Sequence, residues 1–128
     1  ENIIRGAIML VNEYNSIMRQ SDVKNLVELL KEYDGANGIE KSDLVPRIDK
    51  LTDNYTDLFA LYRLKEAGYK AVNRGDGKGR LGETEALKDA QYLERQHDQV
   101  LNCFQSGKRD EGYAILNESI IVAMKYFN

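Results

Sequence analysis

The chain has 128 residues, 42% hydrophobic and 30% charged, a length that fits one domain, spanning 1–128, with a usable core. Its net charge of −3 argues against binding nucleic acid through counterion release from phosphates. No run of about 18 apolar residues occurs, so this stretch does not itself span a membrane.

Turn-forming residues cluster at Asp34-Gly35-Ala36-Asn37-Gly38, between Arg74 and Gly82, and at Ser106-Gly107. They divide the chain into four segments, each periodic at helical spacing, and no alternating strand-like run extends beyond a few residues. The fold is therefore read as all-α.

The first segment runs from about Asn2 to Tyr33. Ile3, Ala7, Leu10, Tyr14 and Ile17 form one apolar stripe. Val23, Leu26, Leu30 and Tyr33 form a second, out of phase with the first. The slip falls at Gln20-Ser21-Asp22, where Ser21 or Asp22 can cap a restarted helix. Without Gly or Pro there, a kink in one long helix is preferred to a hairpin, which stays open.

The second segment places Leu44, Ile48, Leu51, Tyr55, Leu58, Tyr62, Lys65, Tyr69 and Val72 in alternating steps of four and three. Such spacing predicts one apolar seam, with the Lys65 stem snorkelling at its edge. Asp43 is the expected N-cap, Pro46 falls in the first turn, and Arg74-Gly75 is the stop. The third segment, from about Glu83, presents Ala86, Ala90, Leu93, His97, Val100 and Phe104. The fourth, after Gly107, presents Tyr113, Leu116, Ile120, Ala123 and Phe127. The tight Ser106-Gly107 turn makes these last two antiparallel neighbours. Four long helices with such connections predict an up-and-down antiparallel four-helix bundle, with axes about 20° off antiparallel.

Side chains able to carry chemistry are few. The one histidine, His97, cannot build a multi-His metal or catalytic site, and Leu93 and Leu101 stand where its helix-mate ligands would be. It reads as a half-buried imidazole satisfied by a carboxylate or a carbonyl, in preference to a proton switch. Cys103 sits beside Phe104, and its flanks Asn102 and Gln105 carry no cation to lower its pKa. Eight tyrosines against three phenylalanines include Tyr55, Tyr62 and Tyr69 on one helix face. They read first as boundary rings with wet hydroxyls, and second as the wall of a polar pocket or a partner surface. The loop Asn73-Arg74-Gly75-Asp76-Gly77-Lys78-Gly79-Arg80 lacks both the Gly-Lys-Ser/Thr of a phosphate loop and the oxygen ligands of a calcium loop. Its Arg74-Gly75-Asp76 matches an adhesion tripeptide but reads as a helix connection. The chain is expected not to be an enzyme, with no catalytic residues, no metal and no cofactor.

The chain opens on Glu1-Asn2-Ile3-Ile4, without an initiator Met or a signal peptide, and closes on the apolar helical run Ile120 to Asn128 without a stop. Both ends read as cut from a longer protein. With Arg5 near the start of a long, interrupted first helix, and Leu101-Asn102-Cys103-Phe104-Gln105-Ser106-Gly107-Lys108-Arg109-Asp110-Glu111-Gly112-Tyr113 leading into the last, the layout resembles the four-helix-bundle sensor domain of bacterial methyl-accepting chemotaxis receptors. That resemblance implies membrane spans outside both ends and a homodimer. It also implies an extracytoplasmic location on an inner-membrane receptor, a small ligand near the interface of first and fourth helices, and a signal carried as a displacement of the last helix. Arg5 and Arg19 stand fourteen residues apart, where amino-acid-binding members carry a close-set arginine cluster.

A ligand in such a seam needs a polar break. Tyr14, Asn15 and Arg19 supply an aromatic wall, an amide and a cation, and Asn117 is in phase with Tyr113, Ile120 and Met124. A small polar or anionic ligand is the expected occupant. The alternative function is a helical scaffold, cytoplasmic and without membrane continuation, that offers a Tyr-rich face to a protein partner.

Overall fold

The structure is a computed structural model that describes residues 2–74 and 83–127. The described residues form α-helices α1 (Asn2–Glu13), α2 (Gln20–Asp34), α3 (Gly38–Thr52), α4 (Thr56–Arg74), α5 (Glu83–Gln105) and α6 (Arg109–Ala123). Short 3-10 turns cover Asn15–Ile17, Asp53–Tyr55 and Met124–Tyr126, and the described residues contain no strand. The fold is all-α. The chain divides into two compact units, Glu1–Phe59 and Ala60–Asn128, with the division inside α4.

In the first unit α1, α2 and α3 pack on one another. Ala7, Leu10, Tyr14 and Met18 are buried, as the first stripe predicts up to Tyr14. The kinked single helix is corrected here: α1 ends at Glu13, a 3-10 turn follows, and Met18 and Arg19 are extended, with ψ of 157° and 130°. The break buries Tyr14 and Met18 together, which a continuous helix with a mild kink would not need. Gln20 then starts α2, whose buried residues are Leu26 and Leu29. Neither Ser21 nor Asp22 caps it, since Arg19 holds the N-cap position.

The start of α3 also differs from expectation. Asn37, not Asp43, is the N-cap, and a reciprocal pair closes the first turn. The Glu40 backbone N–H donates to Asn37 Oδ1 at 2.9 Å, and the Asn37 N–H donates to Glu40 Oε1 at 3.0 Å. This capping box satisfies two amides that the helix cannot. It moves the start upstream, so Pro46 lies inside α3 and not in its first turn. Pro46 is exposed, which leaves the Ser42 carbonyl to water. Gly6 on α1 admits Phe59, because a Cβ there would stand 2.8 Å from the Phe59 ring.

The second unit contains the rest of α4 with α5 and α6. The α5 stripe is as predicted through Val100: Ala86, Ala90, Leu93, His97 and Val100 are all buried, with Phe104 at its end half-buried. The α4 seam is not. Leu61, Leu64, Ala67 and Ala71 are buried, whereas Tyr69 and Val72 are 57% and 61% exposed. The predicted register holds at Leu44, Ile48 and Leu58, three residues past the 3-10 turn, and then slips by one position inside α4. From Leu58 the buried positions Leu61, Leu64 and Ala67 follow in steps of three, so the alternating four-three phase is lost there.

α5 and α6 form the predicted hairpin. Gly107 has φ +76°, and Lys108 N–H donates to Cys103 O at 2.8 Å while Gly107 N–H reaches Phe104 O at 3.4 Å. This is a Schellman turn, and its left-handed position favours glycine. Beyond it Gly112 lies against Phe104, where an added Cβ would come within 2.6 Å of the ring. Phe104 also meets the Tyr113 ring edge-on at 5.4 Å, with Arg109 stacked 5.5 Å away. The α6 face turned inward is Gly112, Leu116, Ser119 and Ala123.

Candidate groove between α4 and α5

A groove of about 520 Å³ runs between α4 and α5, wholly inside the second unit. Its base is Leu64, Gly68 and Ala90. Gly68 is the reason it is deep: the helix surface has no side chain there, and the nearest atom a Cβ would meet is Leu93 Cβ at 4.0 Å. Tyr69, Val72 and the 48%-exposed Leu87 form apolar walls that water reaches. The polar lining is Lys65, Gln91, Glu94, His97 and Asp98. His97 is buried, more deeply than the half-buried ring expected, with its Nδ1 3.2 Å from Asp98 Oδ1, a carboxylate where either a carboxylate or a carbonyl was expected. An apolar base with a few convergent polar groups and a volume in the range of about 300–1,000 Å³ is the usual form of a small-molecule site.

The residues expected to bind ligand lie elsewhere. Tyr14 is 1% exposed in the core of the first unit, so its ring is a packing element and not an open aromatic wall. Asn15 is exposed and uses its Nδ2 on the Val11 carbonyl at 2.8 Å. Arg19 is exposed, and its backbone N–H donates to the Tyr55 hydroxyl at 3.2 Å. Asn117 belongs to the second unit and is exposed with Tyr113 and Met124. Its expected inward phase is corrected, because the close approach at Gly112 turns the Leu116–Ser119 face of α6 inward. The loop from Gly75 to Gly82, with its Arg74-Gly75-Asp76 tripeptide, lies outside the described residues apart from the Arg74 backbone.

Two polar clusters hold the helices in place. In the first unit Tyr55 donates its O–H to Asp22 Oδ2 at 2.5 Å while accepting from Arg19, which fastens the start of α2 to the turn after α3. Burial, reinforced by the Asp22 carboxylate, pushes the Tyr55 pKa above its ordinary 10.0, despite the opposing Arg19 amide.

In the second unit the end of α6 is clasped to both neighbouring helices. Tyr126 O–H donates to Asp89 Oδ2 at 2.6 Å, and Lys125 Nζ lies 3.2 Å from the same oxygen and 3.5 Å from Glu85. The Phe127 ring has Arg63 at 4.9 Å and Lys70 at 4.7 Å, both from α4. Burial pulls the Lys125 pKa down, but Asp89 and Glu85 more than offset it, leaving a net rise. Between α5 and α6 the buried Ser119 accepts from Gln96 Nε2 at 2.9 Å and donates to Ile115 O at 2.7 Å.

Among the described residues no group of three His, Cys, Asp or Glu is placed to hold a metal ion, and no helix is long and apolar enough to cross a membrane. Comparison with protein-family models, with curated proteins and with solved structures gives no match to this chain.

Proposed function

We propose that the chain is a non-enzymatic signal-sensing domain that takes a small ligand into the α4–α5 groove. The single observation carrying this reading is that groove: about 520 Å³, based on Leu64, Gly68 and Ala90, and rimmed by ionisable groups. In this reading the domain belongs to a bacterial chemoreceptor or sensor kinase. It works as an extracytoplasmic homodimer with an up-and-down four-helix arrangement, joined to membrane spans supplied by the rest of the receptor. The clasp at the end of α6 is the output. Asp89 on α5 and Arg63 and Lys70 on α4 hold Tyr126 and Phe127, so a ligand that changes the α4–α5 spacing also moves the last helix. Such coupling requires the ligand to bind one spacing better than the other.

A second reading, a helical scaffold presenting tyrosines to a protein partner, is favoured by the exposure of Tyr69 and Val72 on the same groove.

The deciding experiment is a thermal-shift screen of small metabolites on the purified chain and on Gly68→Phe, which fills the groove. A ligand at 100 times its Kd stabilises by about 2.7 kcal/mol, a shift of several degrees for a chain of this size. Hits on the parent chain that vanish in Gly68→Phe support the sensing reading. Hits that persist in the filled variant, or silence on both proteins, overturn it.

A further inference from the structure

Resting on the ligand-binding reading of the α4–α5 groove, we infer that its occupant is an organic cation: an aromatic or aliphatic body carrying one protonated amine. The apolar body is dictated by Leu64, Val72 and Leu87, with the Tyr69 ring offering a face on which an aromatic group can stack.

The charge is dictated by what the polar lining has left to give. Glu94 and Asp98 lie one turn apart on α5, on the same side of the groove. Glu94 makes no hydrogen bond or ion pair with any described residue. Asp98 has one oxygen on His97 Nδ1 and is 71% exposed, so its other oxygen is accessible. Lys65, the lone cation among the groove's lining residues apart from the imidazole, is already engaged in an interaction of its own. Two carboxylates, one of them unengaged among the described residues, outnumber the single lysine and present a net negative mouth above an apolar base. An ammonium entering there gains two partners, whereas a carboxylate meets like charge. The occupant is thus opposite in sign to the anion that Arg19 had suggested.

The test is a calorimetric titration of the full chain at pH 7 and low salt with three probes of one shape. These are 2-(1-naphthyl)ethylamine, 2-(1-naphthyl)ethanol and 1-naphthylacetate, which carry charges of plus one, zero and minus one. The amine is expected to bind about tenfold more tightly than the acetate, since attraction of the one and repulsion of the other add. Glu94→Gln should shrink that ratio several-fold while leaving the alcohol's affinity unchanged; being exposed, this position should accept the change without loss of fold. Equal affinity for all three probes, tighter binding of the acetate, or an amine preference that survives Glu94→Gln would overturn the cation assignment while the groove reading stands. Failure of every probe to bind would overturn both.

Discussion

The two units close their helix junctions by different means. In the first, polar side chains do it: the Asn37–Glu40 box starts α3, and the Tyr55 hydroxyl bridges Asp22 and Arg19 across the break before α2. In the second, the α5–α6 junction rests on the absence of side chains, with Gly107 left-handed in the turn and Gly112 bare against Phe104. A junction built from hydroxyls and carboxylates is sensitive to protonation and to loss of a single atom. One built from bare backbone is indifferent to pH and sensitive to bulk.

Three substitutions break or sharpen this contrast. The largest effect is a gain: Pro46→Ala restores an amide able to donate to the Ser42 carbonyl inside α3, and should stabilise the first unit by about 2–3 kcal/mol in urea unfolding. Next, Gly112→Leu forces the Phe104 ring out of its place, and should cost about 2 kcal/mol, equally at every pH between 6 and 10. The smallest is Tyr55→Phe, which removes one hydroxyl with two partners and should cost about 1 kcal/mol at neutral pH.

Only this last loss is pH-dependent. The folded Tyr55 pKa lies above its unfolded value of 10.0, so between the two the native state holds a proton that the unfolded state has lost. The stabilisation is therefore complete below about pH 10 and disappears as pH rises through the folded value. Parent and Tyr55→Phe stabilities, measured from pH 7 to 11.5, should converge at the alkaline end. A constant gap across that range would show that the Asp22 hydrogen bond does not hold the junction.

Much of the α5–α6 hairpin was legible in the sequence. The Ala86-to-Val100 stripe sits on an uninterrupted helix, where spacing alone decides which residues face inward, and Ser106-Gly107 marks a turn whose φ only glycine adopts without strain. The inward phase of His97 was legible for the same reason, while the choice of a carboxylate, Asp98, over a carbonyl was not. The α4 seam was not, because beyond Leu58 the helix offers two adjacent stripes, Leu61-Leu64-Ala67-Ala71 and Tyr62-Lys65-Tyr69-Val72, and packing buries the first. Tyr14 looked like a site wall because an aromatic beside an amide and a cation suits either a pocket or a buried core. Burial alone separates the two.

The candidate groove was the least legible part. Leu64, Gly68 and Val72 share one face of α4, but nothing in their spacing relates them to Leu87 and Glu94 on α5, and they become one surface only when the two helices lie side by side.

Local backbone chemistry and apolar spacing, which belong to the chain itself, thus determined that this protein is helical, where several of its turns fall, and how the α5 face is set. Which tyrosines are core and which are exposed, and that a groove opens beside Gly68, were decided by tertiary structure. Helix phase beyond a turn, and the space between two helices, depend on which atoms from distant parts of the sequence meet.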